Sequence, residues 1–329
     1  MSVVLSYLTM KGGVGKTTLA ANVTRAMADL ASPKPDGAPT KFLLIDADAQ
    51  CNLSQIFFTP KELESHAPRS IYQVFGSGQS VPGARMLVPG DIKTTLYTNK
   101  QTNSIIDLIP GSFDTFQLAF AQSSIQTRAK QYFGHFIEAA RKEYDYIVID
   151  TNPSATFTTL QALEVSQFLV SPITFDTFAM RGIDLIIRTL RDRYQWLDNP
   201  RRILVVPNKI QRATGTALER QEADEDHVRA TFPRLEGSIS ISRIHESRFL
   251  DNRIGRRGTG FVIDQRILPM HRSHLDSVAG DFTNVARALT ASIKEAFDLE
   301  AQNQTNPARA LARTFATYLD RTLGRHSPT

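Results

Sequence analysis

The chain has 329 residues, 41% of them hydrophobic and 22% charged, with a net charge of +5, so it carries ample material for a core and only a mild basic excess. A single cysteine, Cys51, excludes an internal disulfide and fits a reducing compartment. No apolar run reaches the ~20 residues needed to cross a bilayer, and a strand pattern starts too close to Met1 to leave room for a signal peptide, so a soluble, cytoplasmic protein is expected.

The charge-free run Val3-Val4-Leu5-Ser6-Tyr7-Leu8 reads as a buried parallel strand, and residues 19–30 read as a helix. Between them lies Lys11-Gly12-Gly13-Val14-Gly15-Lys16-Thr17-Thr18. A strand, a glycine turn ending in Gly-Lys-Thr and a helix form the context of a phosphate-binding loop. Glycines let backbone N–H groups close on phosphate oxygens, and a helix N-terminus presents further donors. Lys16 is placed to neutralise β- and γ-phosphates and the Thr17 hydroxyl to hold Mg²⁺. An ordinary strand-to-helix turn is the bland alternative. Met10 stands where the general pattern has its first glycine, and Lys11 adds a second lysine at the loop entrance.

Three prolines within residues 32–39 mark a surface loop. Phe42-Leu43-Leu44-Ile45 reads as a second buried strand, ending in Asp46-Ala47-Asp48-Ala49-Gln50. Ligands of open α/β sheets bind beyond the carboxyl ends of strands, so both carboxylates are placed for metal and water chemistry. Their two-residue spacing predicts different roles for them. Residues 56–104 alternate helical pieces with Gly, Ser and Pro turns and give little order. A strand at 105–109 follows, then helical pattern over 113–121 and 128–141.

Tyr144-Asp145-Tyr146-Ile147-Val148-Ile149-Asp150-Thr151-Asn152-Pro153-Ser154 is an aliphatic strand ending in an acid. Asp150 at the sheet edge suits holding a water on Mg²⁺. Helix 156–166, strand 168–173, helix 179–196 and strand 203–207 continue the alternation. The predicted fold class is therefore α/β, a doubly wound, mostly parallel sheet flanked by helices. No internal repeat and no linker long enough to separate two domains is present. Residues 222–226 read as a solvated acidic helix face.

The loop with its early lysine, the Asp-Ala-Asp-Ala-Gln segment and the 144–154 strand together resemble the ParA/MinD superfamily of deviant Walker A phosphate-loop ATPases. The likeness spans roughly residues 1–210 and is looser to about 290. The resemblance implies ATP and Mg²⁺ as ligands, and a homodimer in the ATP state in which Lys11 reaches the partner's phosphates. It also implies that Asp48 orients the attacking water and that Asp46 supports the metal's outer shell beside Thr17 and Asp150. The catalytic set is then Lys11, Lys16 and Asp48, and the nucleotide contacts are residues Lys11, Gly12, Gly13, Val14, Gly15, Lys16, Thr17 and Thr18. Asn208 resembles the family's adenine-reading asparagine, and an amide suits that task by donating to a ring nitrogen and accepting from the amino group. Two positions depart from the family pattern: Ala49 and Asn152 each replace a proline. Asn152 reads as a neutral replacement, the alternative being a contact to nucleotide or to the dimer partner.

Residues 242–258 carry five arginines against Glu246 and Asp251 and match the family's basic segment loosely. Arg248, Arg253, Arg256 and Arg257 are the candidates for binding DNA without sequence preference; the alternative is local pairing with Glu246 and Asp251. Residues 308–324 read as an amphipathic helix bearing Leu311, Phe315, Tyr318, Leu319 and Leu323, flanked by Arg309, Arg313, Arg321 and Arg325. Core docking or a partner surface is preferred there over a membrane anchor. The expected organisation is an ATPase domain over 1–299 and a helical extension over 300–329.

A single cysteine cannot ligate the iron–sulfur cluster of the nitrogenase-type relatives, and the chain begins at the phosphate loop rather than at a DNA-reading helix-turn-helix domain. The expectation is a slow, nucleoid-associated ATPase that partitions or positions DNA or another cargo, stimulated by a ParB-like or other adaptor. The alternatives are a MinD-like membrane-surface ATPase using the C-terminal helix, and a nucleotide-bound scaffold that has lost hydrolysis through Ala49 and Asn152.

Overall fold

The computed structural model describes residues 2–32, 34–76, 86–174, 177–247, 260–264 and 272–304. Arg248, Arg253, Arg256, Arg257 and the helix read over 308–324 lie outside the described residues. In chain order the elements are β1 (Val3–Tyr7), α1 (Lys16–Leu30), β2 (Lys41–Asp46), α2 (Asn52–Phe57), α3 (Pro60–His66), α4 (Ile71–Gly76), α5 (Pro89–Ile92), β3 (Thr94–Thr98), β4 (Ile105–Ile109), α6 (Ser123–Glu143), β5 (Tyr146–Asp150), α7 (Phe157–Val165), β6 (Phe168–Ile173), α8 (Thr177–Leu190), β7 (Ile203–Pro207), α9 (Thr216–Thr231) and α10 (Arg272–Gln304). Among the described residues the seven strands make one sheet of order β3-β4-β2-β5-β1-β6-β7. Every pairing is parallel except β3 with β4.

The strands read as continuous apolar runs because both faces are covered. Within each strand, alternate residues serve opposite layers. Leu5, Phe42, Leu44, Val148 and Val170 pack under α1 and α10, against Leu19, Phe282 and Leu289. Their neighbours Val4, Leu43, Ile45, Ile147 and Ile149 pack under α4 and α6, against Phe75 and Phe133. On the β6–β7 side, Leu169, Ile173, Ile203 and Val205 pack with Met180 and Ile183 of α8.

Some expectations change in detail. α1 starts at Lys16, so Lys16, Thr17 and Thr18 form its first turn. α8 ends at Leu190, and residues Gln195–Asp198 continue as a 3-10 turn. The acidic stretch on α9 is not wholly solvated: Glu225 is buried and accepts from Arg243 at 2.9 Å. β3, inside the segment that gave little order, is an antiparallel edge strand. α10 runs without a break through residue 300, where the C-terminal extension was expected to begin. Among the described residues no helix is long and apolar enough to cross a membrane.

Strand register positions the chemistry. Asp150 lies opposite Tyr7 on one side and Asp46 on the other, so β1, β2 and β5 end at one level. The phosphate loop leaves β1 at that level.

Candidate functional site

The loop between β1 and α1 is shaped by its glycines. Gly13 (φ 75°) and Gly15 (φ 83°) take left-handed conformations that side chains rarely adopt. Gly15 is also the N-cap of α1 and supplies no side-chain cap to the first-turn N–H groups. A Cβ on Gly15 would sit 2.4 Å from Asn208 Nδ2, whereas one on Gly12 would meet nothing within 4 Å. The loop therefore presses against β7 on one side and opens on the other to a cleft of about 650 Å³. That cleft is lined by the loop together with Asp48, Asn52, Asn152 and Lys209.

Lys16 and Thr17 converge on one carboxylate. Lys16 Nζ lies 2.5 Å from Asp150 Oδ1, and Thr17 Oγ1 donates to Asp150 Oδ2 at 2.8 Å. Burial holds the Asp150 carboxyl above its ordinary range, against the pull of the Lys16 ammonium and the Thr17 hydroxyl. Behind it, Asp46 is fully buried, and its Oδ2 accepts from Ser54 N at 2.8 Å and Ser54 Oγ at 2.7 Å. Burial and then the charge of Asp150 push Asp46 up to about 7. Ser54 Oγ in turn accepts from Gly111 N, tying the β4 turn to this group. A hydroxyl and a carboxylate oxygen side by side are hard donors of the kind Mg²⁺ takes, alongside phosphate oxygens. The open floor over Gly12 and the N-terminus of α1 suit those phosphates. The residues present fit a magnesium–nucleotide pair.

Asp48 lines the same cleft as Lys16 and is nearly inaccessible. Its Oδ1 accepts from Gln50 N and from Asn152 Nδ2, both at 2.9 Å, and its Oδ2 from Asn52 Nδ2 at 3.4 Å. Asn152, read as a neutral replacement, thus makes a bond to Asp48 that a proline could not make. Asn52 and Ser54 were not singled out in the sequence, and the contact of Asn152 with Asp48 was not foreseen. For Asn152 the only signal was its departure from the family pattern.

Lys11 lines the cleft entrance, with Nζ 3.5 Å from Thr174 Oγ1. Asn208 is buried at the end of β7, donating from Nδ2 to Val14 O at 2.6 Å and accepting at Oδ1 from Lys209 N at 2.9 Å. With Thr18, Leu19, Ile244 and His245 it borders a second, smaller pocket on the α1 side of the loop.

A family model described as an AAA domain (AAA_31) matches residues 2–201, which holds β1, the loop, Asp46, Asp48 and β5. The chain belongs to this family, within the ParA/MinD superfamily of phosphate-loop proteins. Sporulation initiation inhibitor protein Soj of Bacillus subtilis is 27% identical over 197 residues, 58% of this chain and 66% of Soj. The match thus spans a little under two thirds of that relative's length. Among solved structures, a putative plasmid partition protein of Borrelia burgdorferi bound to AMPPNP superposes with a TM-score of 0.58 at 20% identity, covering 86% of this chain and 98% of that one. The structure of pNOB8 ParA bound to nonspecific DNA superposes with a TM-score of 0.54 at 22% identity, covering 90% and 99%. At such identities the two structures establish that this ParA/MinD member has their fold.

Proposed function

We propose that this ParA/MinD-type chain is an ATPase that dimerises on ATP, binds DNA without sequence preference and partitions or positions DNA or another cargo. The supporting observation is the convergence of Lys16 and Thr17 on Asp150, with Asp48 lining the same cleft. ATP is the substrate; its phosphates lie over Gly12 and Gly13 and accept from the first-turn N–H groups of α1. Lys16 donates to the β- and γ-phosphates from a position set by Asp150. Thr17 and Asp150, with Asp46 behind them, hold Mg²⁺, which when bound neutralises charge on the phosphates. Asp48 orients the attacking water. Asn208 reads the adenine from the pocket beside the loop. Lys11, at the cleft entrance, reaches the phosphates of a second copy.

ATP that binds the dimer better than the monomer biases the whole equilibrium, so nucleotide state governs DNA binding. Arg248, Arg253, Arg256 and Arg257 supply the phosphate contacts. A ParB-like or other adaptor stimulates slow intrinsic turnover. The proposal draws its support from the site geometry, from the partition proteins among its structural relatives and from the DNA complex of one of them.

The test is ATP binding by calorimetry with phosphate release. Lys16→Ala is expected to abolish binding. Asp48→Ala is expected to bind ATP and dimerise but to release phosphate only at a small residual rate. Undiminished affinity in the first variant overturns the loop assignment, and unchanged turnover in the second overturns that of Asp48.

A further inference from the structure

Asn152 stands where the family pattern has a proline, and the fold brings it against Asp48. Asp46 and Asp150 are register partners at the ends of β2 and β5, and the ladder continues one step further, with Ala47 N donating to Asp150 O at 2.9 Å. Two residues beyond each partner lie Asp48 and Asn152, where the ladder has ended and a side-chain hydrogen bond joins the two segments. The bond between Asn152 Nδ2 and Asp48 Oδ1 is 2.9 Å long. The orientation of the amide is fixed at its other end. Ser154 N–H donates to Asn152 Oδ1 at 2.9 Å, and a flipped amide would put two donors against each other there.

We infer that Asn152 is a positioning residue for hydrolysis, acting through Asp48; the inference rests on the reading of Asp48 as the group that orients the attacking water. The two oxygens of that carboxylate are treated differently. Oδ1 takes two donors at 2.9 Å, one from the backbone of Gln50 and one from Asn152. Among the described residues Oδ2 takes only the long contact from Asn52, at 3.4 Å. Pinning Oδ1 leaves Oδ2 as the acceptor for a water in the cleft and fixes the plane in which that water is held. Rotation of a carboxylate held by one donor spreads the acceptor over a wider arc, and a nucleophile misplaced by about 1 Å loses much of its advantage. Asn152 reaches the reaction only through Asp48, so it affects the rate of cleavage and not the hold on nucleotide.

The experiment is steady-state ATP turnover with Mg²⁺, together with calorimetric ATP affinity, for Asn152→Ala and Asn152→Pro, each alone and combined with Asp48→Ala. A hydrogen bond to a charged acceptor predicts a fall in kcat of about tenfold or more for either single variant. KM and ATP affinity are expected to stay within about twofold, and neither substitution is expected to lower the residual rate of Asp48→Ala any further. An unchanged or raised kcat, a matching loss of ATP affinity, or the same fractional fall in the Asp48→Ala background overturns the inference. If Asp48→Ala alone keeps the full rate, the reading of Asp48 itself fails and Asn152 falls with it. If Asp48→Ala is inactive while Asn152→Ala is not impaired, only the role of Asn152 is lost.

Discussion

At the scale of single residues, Gly15 shows how closely the loop is determined by its contacts. It holds φ 83°, and a Cβ would meet Asn208 Nδ2 at 2.4 Å, displacing the amide that donates to Val14 O. The left-handed penalty and the lost hydrogen bond together predict that Gly15→Ala destabilises the protein by about 2–3 kcal/mol. Gly12→Ala, with open space around the added carbon, is expected to stay within about 0.5 kcal/mol of the parent. Urea denaturation of the two variants checks this, and equal stabilities would refute it. The meeting of Lys16 and Thr17 with Asp150 was legible in the sequence, because the loop and strand patterns fix their surroundings. The contacts of Ser54 and Asn152 were not, since each touches a carboxylate on another segment.

At the scale of elements, apolar strands in the middle of the sheet announce themselves, while an edge strand does not. β3 is Thr-Thr-Leu-Tyr-Thr and half exposed, so it lacks the run that marked β1, β2 and β5. Besides the packing of Leu96 and Tyr97 on the core, it is held by polar contacts. Asp107 of β4 is fully buried and accepts from Thr95 Oγ1 at 2.6 Å, Lys93 Nζ at 2.7 Å and Tyr144 OH at 2.8 Å. Burial alone would raise the Asp107 carboxyl, but these three donors and the Lys93 charge outweigh it and hold it below the ordinary range. An acid depressed in the folded state contributes stability above its unfolded value, near 3.9, and loses it as pH falls through the folded value. Denaturant midpoints from pH 6 to pH 2 should therefore fall more steeply for the parent than for Asp107→Asn, which starts less stable at pH 6. Parallel profiles would mean that Asp107 does not link β3 to acid stability.

At the scale of the whole molecule, the order of strands and helices followed from the alternating pattern, and the match over residues 2–201 agrees with it. Strand order itself was not legible, because neighbours in the sheet are far apart in the chain: β1 lies between β5 and β6. That order gathers the loop, Asp48 and Asp150 at one edge, where the proposed function has a second copy complete the site through Lys11. On the proposed function, dimerisation would also set the strength of DNA binding. Four arginines per chain become eight in a pair, and each phosphate met releases counterions. Eight such contacts predict a slope of about −7 for log affinity against log salt, a loss of roughly 10⁴-fold between about 50 and 200 mM. The monomer, with half the contacts, should bind too weakly at the upper salt to register beside it. Fluorescence anisotropy of a labelled random duplex, with ATP, ADP or no nucleotide across that salt range, is the measurement. The steep slope is expected only with ATP, and Arg248→Ala combined with Arg253→Ala, Arg256→Ala and Arg257→Ala should flatten it. Equal affinity in all three nucleotide states would detach DNA binding from the ATP cycle, and a slope that survives the four substitutions would move the contact to another surface.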